Sequence, residues 1–168
     1  MPDLVPDLMP DDDFGRLDAI WVKRVRRGPM DRKDRARLIA GRGLEDDANF
    51  GKKRQVTILS TEQWLEVCRE LGEDLDPAVR RANLMVAGLE LANTRGRILS
   101  IGDCRILVHG ETRPCGNIDD IHRGLRQALD PDWRGGVYGE VVDGGEIAVG
   151  DTVRWEPPDL VMKATSSP

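Results

Sequence analysis

The sequence predicts a mainly β, barrel-like domain carrying a few helices. Three observations lead there. Short runs rich in β-branched and aliphatic residues recur along the chain. Glycine-centred turns separate several of them, at Gly102-Asp103, Asp143-Gly144-Gly145 and Gly150-Asp151. Helical spacing of apolar residues occurs in only two segments. Many short strands, glycyl turns and sparse helices describe a β core decorated by helices.

Taken in order, residues 1–13 intersperse Pro2, Pro6 and Pro10 with Asp3, Asp7 and Asp11–Asp13. Proline disfavours helix and removes ladder donors, and the acids repel one another, so this stretch reads as a flexible arm without a role. Residues 14–156 form the domain, and 157–168 read as a fraying tail. Within the domain, Arg16–Arg27 and Ala36–Leu44 predict strands, as does the β-branched run Gln55–Leu59. The period then changes: Trp64, Leu65, Val67, Cys68 and Leu71 recur at helical spacing. Ser60 and Gln63 form a capping-box pattern ahead of this run, and Gly72 fits its left-handed end. Asn83–Val86 reads as a strand, and Arg97–Ile101 with Cys104–His109 as a hairpin. A second helix is expected with Ile118, Ile121, Leu125 and Leu129 on one face, Asn117 as its N-cap, and Asp119 and Asp120 in its first turn. Val137–Val142 and Glu146–Val149 read as strands turning back at Asp143-Gly144-Gly145, and Thr152–Trp155 closes the series.

The chain has 168 residues, enough for one domain that buries roughly 70% of its unfolded surface without a disulfide or metal staple. Hydrophobic residues at 39% and charged residues at 33% describe a globular chain. The net charge of −5 argues against wholesale nucleic-acid binding, and 4% aromatics leave few rings for base stacking. Cys68, Cys104 and Cys115 contain no CxxC pair, which argues against a zinc cluster. An odd cysteine count and an acidic, prolyl start without a basic or apolar leader point to a reducing, cytoplasmic setting. No run approaches the ~20 apolar residues of a membrane span.

Several residues could carry chemistry, and each has a plainer reading. Cys115 sits in a Gly/Pro-flanked loop, two residues before the expected helix start and two after Arg113; both neighbours favour a thiolate. A thiolate is a soft metal donor and could also hold a persulfide; the plainer reading is a small buried apolar residue. Cys68, on the apolar helix face, and Cys104, opening a strand, read as core. Arg80, Arg81 and Asn83 stand at a strand entry, where guanidinium forks suit phosphate and an amide offers paired donor and acceptor; a solvated basic turn is the alternative. Ser60 and Thr61 open a helix that could present N–H groups to an anion, although capping alone accounts for Ser60. Arg134-Gly135-Gly136 could let backbone approach a ligand, or simply turn. Lys52-Lys53-Arg54 reads as a solvated face, with steering of an anionic cofactor as the lesser reading. His109 and His122 show no hydroxyl or acidic partner in the sequence, so a hydrolase triad is rejected.

Four blocks, in order, resemble the MOSC domain family, named after the C-terminal domain of molybdenum cofactor sulfurase. They are Gly43-Leu44-Glu45 with Arg54–Ser60; Arg80–Leu84 running to Gly88-Leu89; Ile101-Gly102-Asp103 with Thr112-Arg113-Pro114-Cys115; and Arg134–Gly139 with Gly145 and Val149-Gly150-Asp151. The resemblance is to standalone bacterial members and spans most of residues 16–156. It implies a β-barrel-like fold and molybdenum cofactor, in molybdopterin form, with Cys115 as catalytic residue and molybdenum ligand. It places Arg81 and Asn83 among the cofactor-binding residues, with Arg80, Ser60, Thr61, Arg113 and Arg134 as further candidates. The implied activity is reduction of small N-hydroxylated compounds. A separate electron-donor protein is then required, because the chain carries no ferredoxin-type cysteine set and no GxGxxG. The alternative within the family is a sulfur carrier, bearing a persulfide on Cys115 without turnover of its own; pyridoxal phosphate binding also belongs to the family context. A third reading is a binding module without catalysis. Relatives often carry Gly-Asp and a basic residue after the glutamate of the first block; here the stretch is Glu45-Asp46-Asp47-Ala48-Asn49, which keeps the aspartate alone.

Overall fold

The computed structural model describes residues 14–114 and 116–157. The arm (1–13), most of the tail and Cys115 therefore lie outside the described residues. Eleven strands appear among them: β1 (Phe14–Val22), β2 (Asp31–Lys33), β3 (Arg35–Ile39), β4 (Gly43–Leu44), β5 (Val56–Ser60), β6 (Leu84–Ala87), β7 (Ile98–Ile101), β8 (Cys104–Glu111), β9 (Val137–Asp143), β10 (Gly145–Ala148) and β11 (Thr152–Trp155). The α-helices are α1 (Thr61–Leu71) and α2 (Leu125–Leu129), with 3₁₀ turns at Pro77–Arg80, Gly116–Asp120 and Pro131–Trp133.

Seven strands close a barrel in the order β11-β7-β8-β9-β5-β6-β1, with β1 returning to β11. The mainly β, barrel-like expectation therefore holds. β1 serves two partners along one edge: Phe14–Arg16 pair with β11 and Ile20–Val22 with β2. The pairing with β6 shifts between Leu17 and Ala19, so Asp18 sits in a bulge. The bulge reverses the alternation of faces. Leu17, Ile20 and Val22 point into the barrel core, whereas Ala19 and Trp21 join the second core under the helices. Asp18 itself meets α1, accepting from the Thr61 hydroxyl at 2.6 Å.

β5 and β6 run parallel, and α1 lies in the crossover between them, as parallel neighbours require. Ser60 accepts from the Gln63 N–H at 3.2 Å, and Gly72 takes φ 70° at the other end. Both expected caps are present. Trp64, Val67 and Cys68 face inward, and the Trp64 indole N–H donates to the Leu75 carbonyl at 3.0 Å.

Three expectations need correction. The run Ala36–Leu44 is two strands, β3 and β4, because the chain turns at Gly41 (φ 73°). Asn117 caps no α-helix: it lies inside a 3₁₀ turn, and Gly124 at φ 91° breaks the segment before α2 starts. Ile121 accordingly stays exposed while Leu125 and Leu129 are buried. β9 and β10 do not form a hairpin; β10 leaves the barrel to pair with β3 in a separate small sheet, β10-β3-β4.

Candidate functional site

Cys115 follows directly on a tightly packed segment. β8 ends at Glu111, and the Thr112 N–H donates to the Gly136 carbonyl at 2.8 Å. The Arg80 guanidinium, arriving from the 3₁₀ turn after α1, donates to the Thr112 carbonyl at 3.0 Å. Gly135 completes the contact. A Cβ there would stand 2.2 Å from the Thr112 oxygen, 3.1 Å from Arg80 Nη2 and 3.5 Å from Pro114 Cδ, so only glycine permits this approach. Pro114 is buried, and the Thr112 hydroxyl is buried with no hydrogen-bond partner among the described residues. Beyond Cys115 comes a five-residue 3₁₀ turn, so the α-helix terminus expected to favour its thiolate is not there.

Asn83 has a different position. It is 3% exposed, and its amide is fully engaged within the protein. Nδ2 donates to the Trp21 carbonyl at 3.3 Å and to Asp47 Oδ1 at 3.0 Å. Oδ1 accepts from the Thr57 N–H at 3.1 Å and from the Thr57 hydroxyl at 3.2 Å. Asp47, 5% exposed, accepts in addition from the Lys23 and Asn49 N–H groups at 2.8 and 3.0 Å. The aspartate kept from the family loop thus ties β1, the 45–49 loop and the entry to β6 into one buried network. Lys23 beside it has its pKa lowered, by burial first, against the opposing pull of Asp47 and with Arg81 adding to the lowering.

The other predicted site residues are dispersed. Arg81, exposed and at φ 64°, donates to the Gly28 carbonyl at 2.7 Å. Ser60 is a buried cap and Thr61 is tied to Asp18. Arg134, 13% exposed, holds the Glu70 carboxylate at 3.0 and 2.8 Å and donates to the Ala128 carbonyl, joining α1 to α2. That pairing holds the Glu70 carboxyl below its ordinary value and raises Arg134. Arg113 is 80% exposed and 3.7 Å from Glu111. Of the predicted set, Arg80 alone is seen to reach the segment that leads to Cys115. Thr112 and Gly135 belong to the same cluster. Both lay in the recognised blocks, and Gly135 was among the glycines read as allowing a close backbone approach; no sequence signal marked the hydroxyl as buried or Thr112 as the partner of that approach. Among the described residues, no group of three His, Cys, Asp or Glu side chains could hold a metal ion, and no helix is long and apolar enough to cross a membrane.

Comparison with known proteins agrees with this architecture. No curated protein matches the chain. The YuaD protein from Bacillus subtilis is similar in structure, with a TM-score of 0.73 at 19% identity, covering 84% of this chain and 95% of that one. YiiM from Escherichia coli gives 0.64 at 21% identity over 84% and 70% of the two chains. YiiM from Geobacillus stearothermophilus gives 0.66 at 17% identity over 85% and 75%. At such identities the likeness is one of fold. The MOSC domain model matches residues 45–154, from the Asp47 loop through β11 and across the Arg80–Thr112–Gly135 cluster. The chain belongs to the MOSC domain family.

Proposed function

We propose that this protein binds molybdenum cofactor beside the Thr112–Pro114 segment, with Cys115 as the molybdenum ligand, and supports reduction of N-hydroxylated compounds in the cytoplasm. The observation that carries the reading is the convergence of the Arg80 guanidinium, Gly135 and a Thr112 hydroxyl that is buried without a partner among the described residues, on the residues just before Cys115. Such a set suits an anionic group: a guanidinium supplies fixed positive charge, and a buried hydroxyl without a partner is costly until something occupies it. When bound, the cofactor supplies two-electron reduction at an N–O bond.

This chain's residues hold and orient. Thr112 offers its hydroxyl, and Arg80 fixes the Thr112 carbonyl and contributes charge. Gly135 keeps the backbone close, and Arg113 adds positive potential at the surface. Asn83 and Asp47 act through the fold, clamping the strand entry from which Arg80 and Arg81 project. The overall change takes R–NH–OH, two protons and two electrons to R–NH₂ and water. A separate redox protein delivers the electrons.

Expression in a cofactor-competent host followed by elemental analysis tests the reading. Molybdenum should co-purify with the wild type and be lost in Cys115→Ala. Equal metal in the two would sink the ligand assignment. A persulfide on Cys115 after incubation with a cysteine desulfurase, without retained molybdenum, would replace it with the sulfur-carrier reading.

A further inference from the structure

A second cleft brings together charge, an aromatic ring and a paired imidazole. It lies between the loop entering β5 and the outer face of β8 and β9. Lys52, Lys53, Gln55, His109, Tyr138 and Glu140 line it, and it encloses about 400 Å³. That volume suits a small molecule.

The strand register aims its central residue. Val108 faces Gly139 and Gly110 faces Tyr138, so His109 is the extra residue of a bulge. The extra residue leaves His109 in the outward series of Arg105 and Leu107, on the partly exposed side of β8. Here the imidazole stands beside Tyr138, with ring centroids 6.3 Å apart, and its Nε2 is 2.8 Å from Glu140 Oε1. His109 and Glu140 are each 39% exposed, within reach of a solute. Arg54 lies 4.7 Å over the Tyr138 ring. Arg95 Nη2 and Tyr138 Cε1 are both 3.4 Å from where a Cβ on Gly110 would stand. The floor is rigid: Gln55 donates to the Gly41 carbonyl and accepts from the Val141 N–H.

Two lysines therefore line the cleft and one arginine lies over its ring, in a chain of net charge −5. One carboxylate, Glu140, lines the same cleft and is paired with the imidazole. Lysines bind phosphate as point charges, whereas the carboxylate accepts from hydroxyl or amino donors and repels a second anion. We propose that this cleft binds a small phosphate monoester, with its phosphate toward Lys52 and Lys53 and a donor-bearing organic part toward Glu140 and His109.

Calorimetric titration of the full chain with adenosine 5′-monophosphate, adenosine and inorganic phosphate tests this. The monophosphate should saturate, with the other two at least about tenfold weaker. The Lys52→Ala/Lys53→Ala variant should lose about tenfold or more in affinity at an unchanged melting temperature. Glu140→Gln should weaken the monophosphate and leave inorganic phosphate unchanged. Cys115→Ala should bind like the wild type. The proposal is overturned by an absence of saturable binding, by indifference to the lysine substitutions, or by inorganic phosphate binding as tightly as the monophosphate. Loss of binding in Cys115→Ala would also overturn it, since the ligand would then sit at the proposed cofactor site.

Discussion

Replacing Asn83 should destabilise the barrel more than its place at a strand entry suggests. The amide makes four hydrogen bonds, to the Trp21 carbonyl, Asp47 and two Thr57 groups. In Asn83→Ala, Asp47 keeps its bonds from the Lys23 and Asn49 N–H groups. The Trp21 carbonyl and the Thr57 N–H lose the side-chain partner. Stranding a buried polar group costs roughly 1–3 kcal/mol, so the two together should cost about 3 kcal/mol. With a urea slope of about 2 kcal/mol per molar, the unfolding midpoint should fall by about 1.5 M. Asn83→Asp should be worse at neutral pH, because a carboxylate oxygen would face Asp47 Oδ1 where Nδ2 now sits 3.0 Å away. Repulsion raises the new carboxyl's folded pKa above its unfolded value of about 3.9. The native state then binds the extra proton, so this variant should regain stability on acidification and lose it as the pH rises through that window. A midpoint shift under about 0.5 M for Asn83→Ala would refute the network argument.

Gly135→Ala should push the Thr112–Pro114 segment away from Arg80, costing about 1–3 kcal/mol of stability and lowering molybdenum content per chain while the barrel's circular dichroism is kept. Native-state iodoacetamide labelling read by peptide mass spectrometry should modify Cys115 first in cofactor-free protein, because Cys68 and Cys104 are buried; earlier labelling of either would contradict that burial. Burial, with Asp103 next, raises the Cys104 thiol above its ordinary value. Its contribution to stability is therefore complete below the unfolded thiol value and should be lost as the pH rises through the folded one, a slope that Cys104→Ala should remove.

The elements legible in the sequence were those governed by local chemistry. Ser60, Gln63 and Gly72 announce α1 because a cap and a left-handed stop involve only neighbouring residues. The segment after Cys115 misled because Ile118, Ile121, Leu125 and Leu129 have helical spacing, whereas Gly124 requires a left-handed turn that spacing does not reveal. The β9–β10 turn has hairpin residues, yet β10 pairs with β3, a long-range choice that no local signal encodes. The same division runs through the site. Arg80 was identified as a strand-entry arginine, but its approach to Thr112 depends on Gly135, distant in sequence. Asn83 was read as facing a ligand; which way its amide turns is set by Asp47 and Thr57.

The double engagement of β1 bears on how the molecule assembles. Phe14–Arg16 complete the cylinder only by pairing with Thr152–Arg154, at the opposite end of the described chain. A ribosome therefore releases the first strand long before its closing partner exists. Until β11 emerges, the β1 edge that it will cover lacks its partner there, and final closure carries one of the longest loop-entropy costs this topology can impose. Synthesis halted before Thr152 should yield nascent chains that stay protease-sensitive, and extension through Trp155 should bring resistance in a single late step.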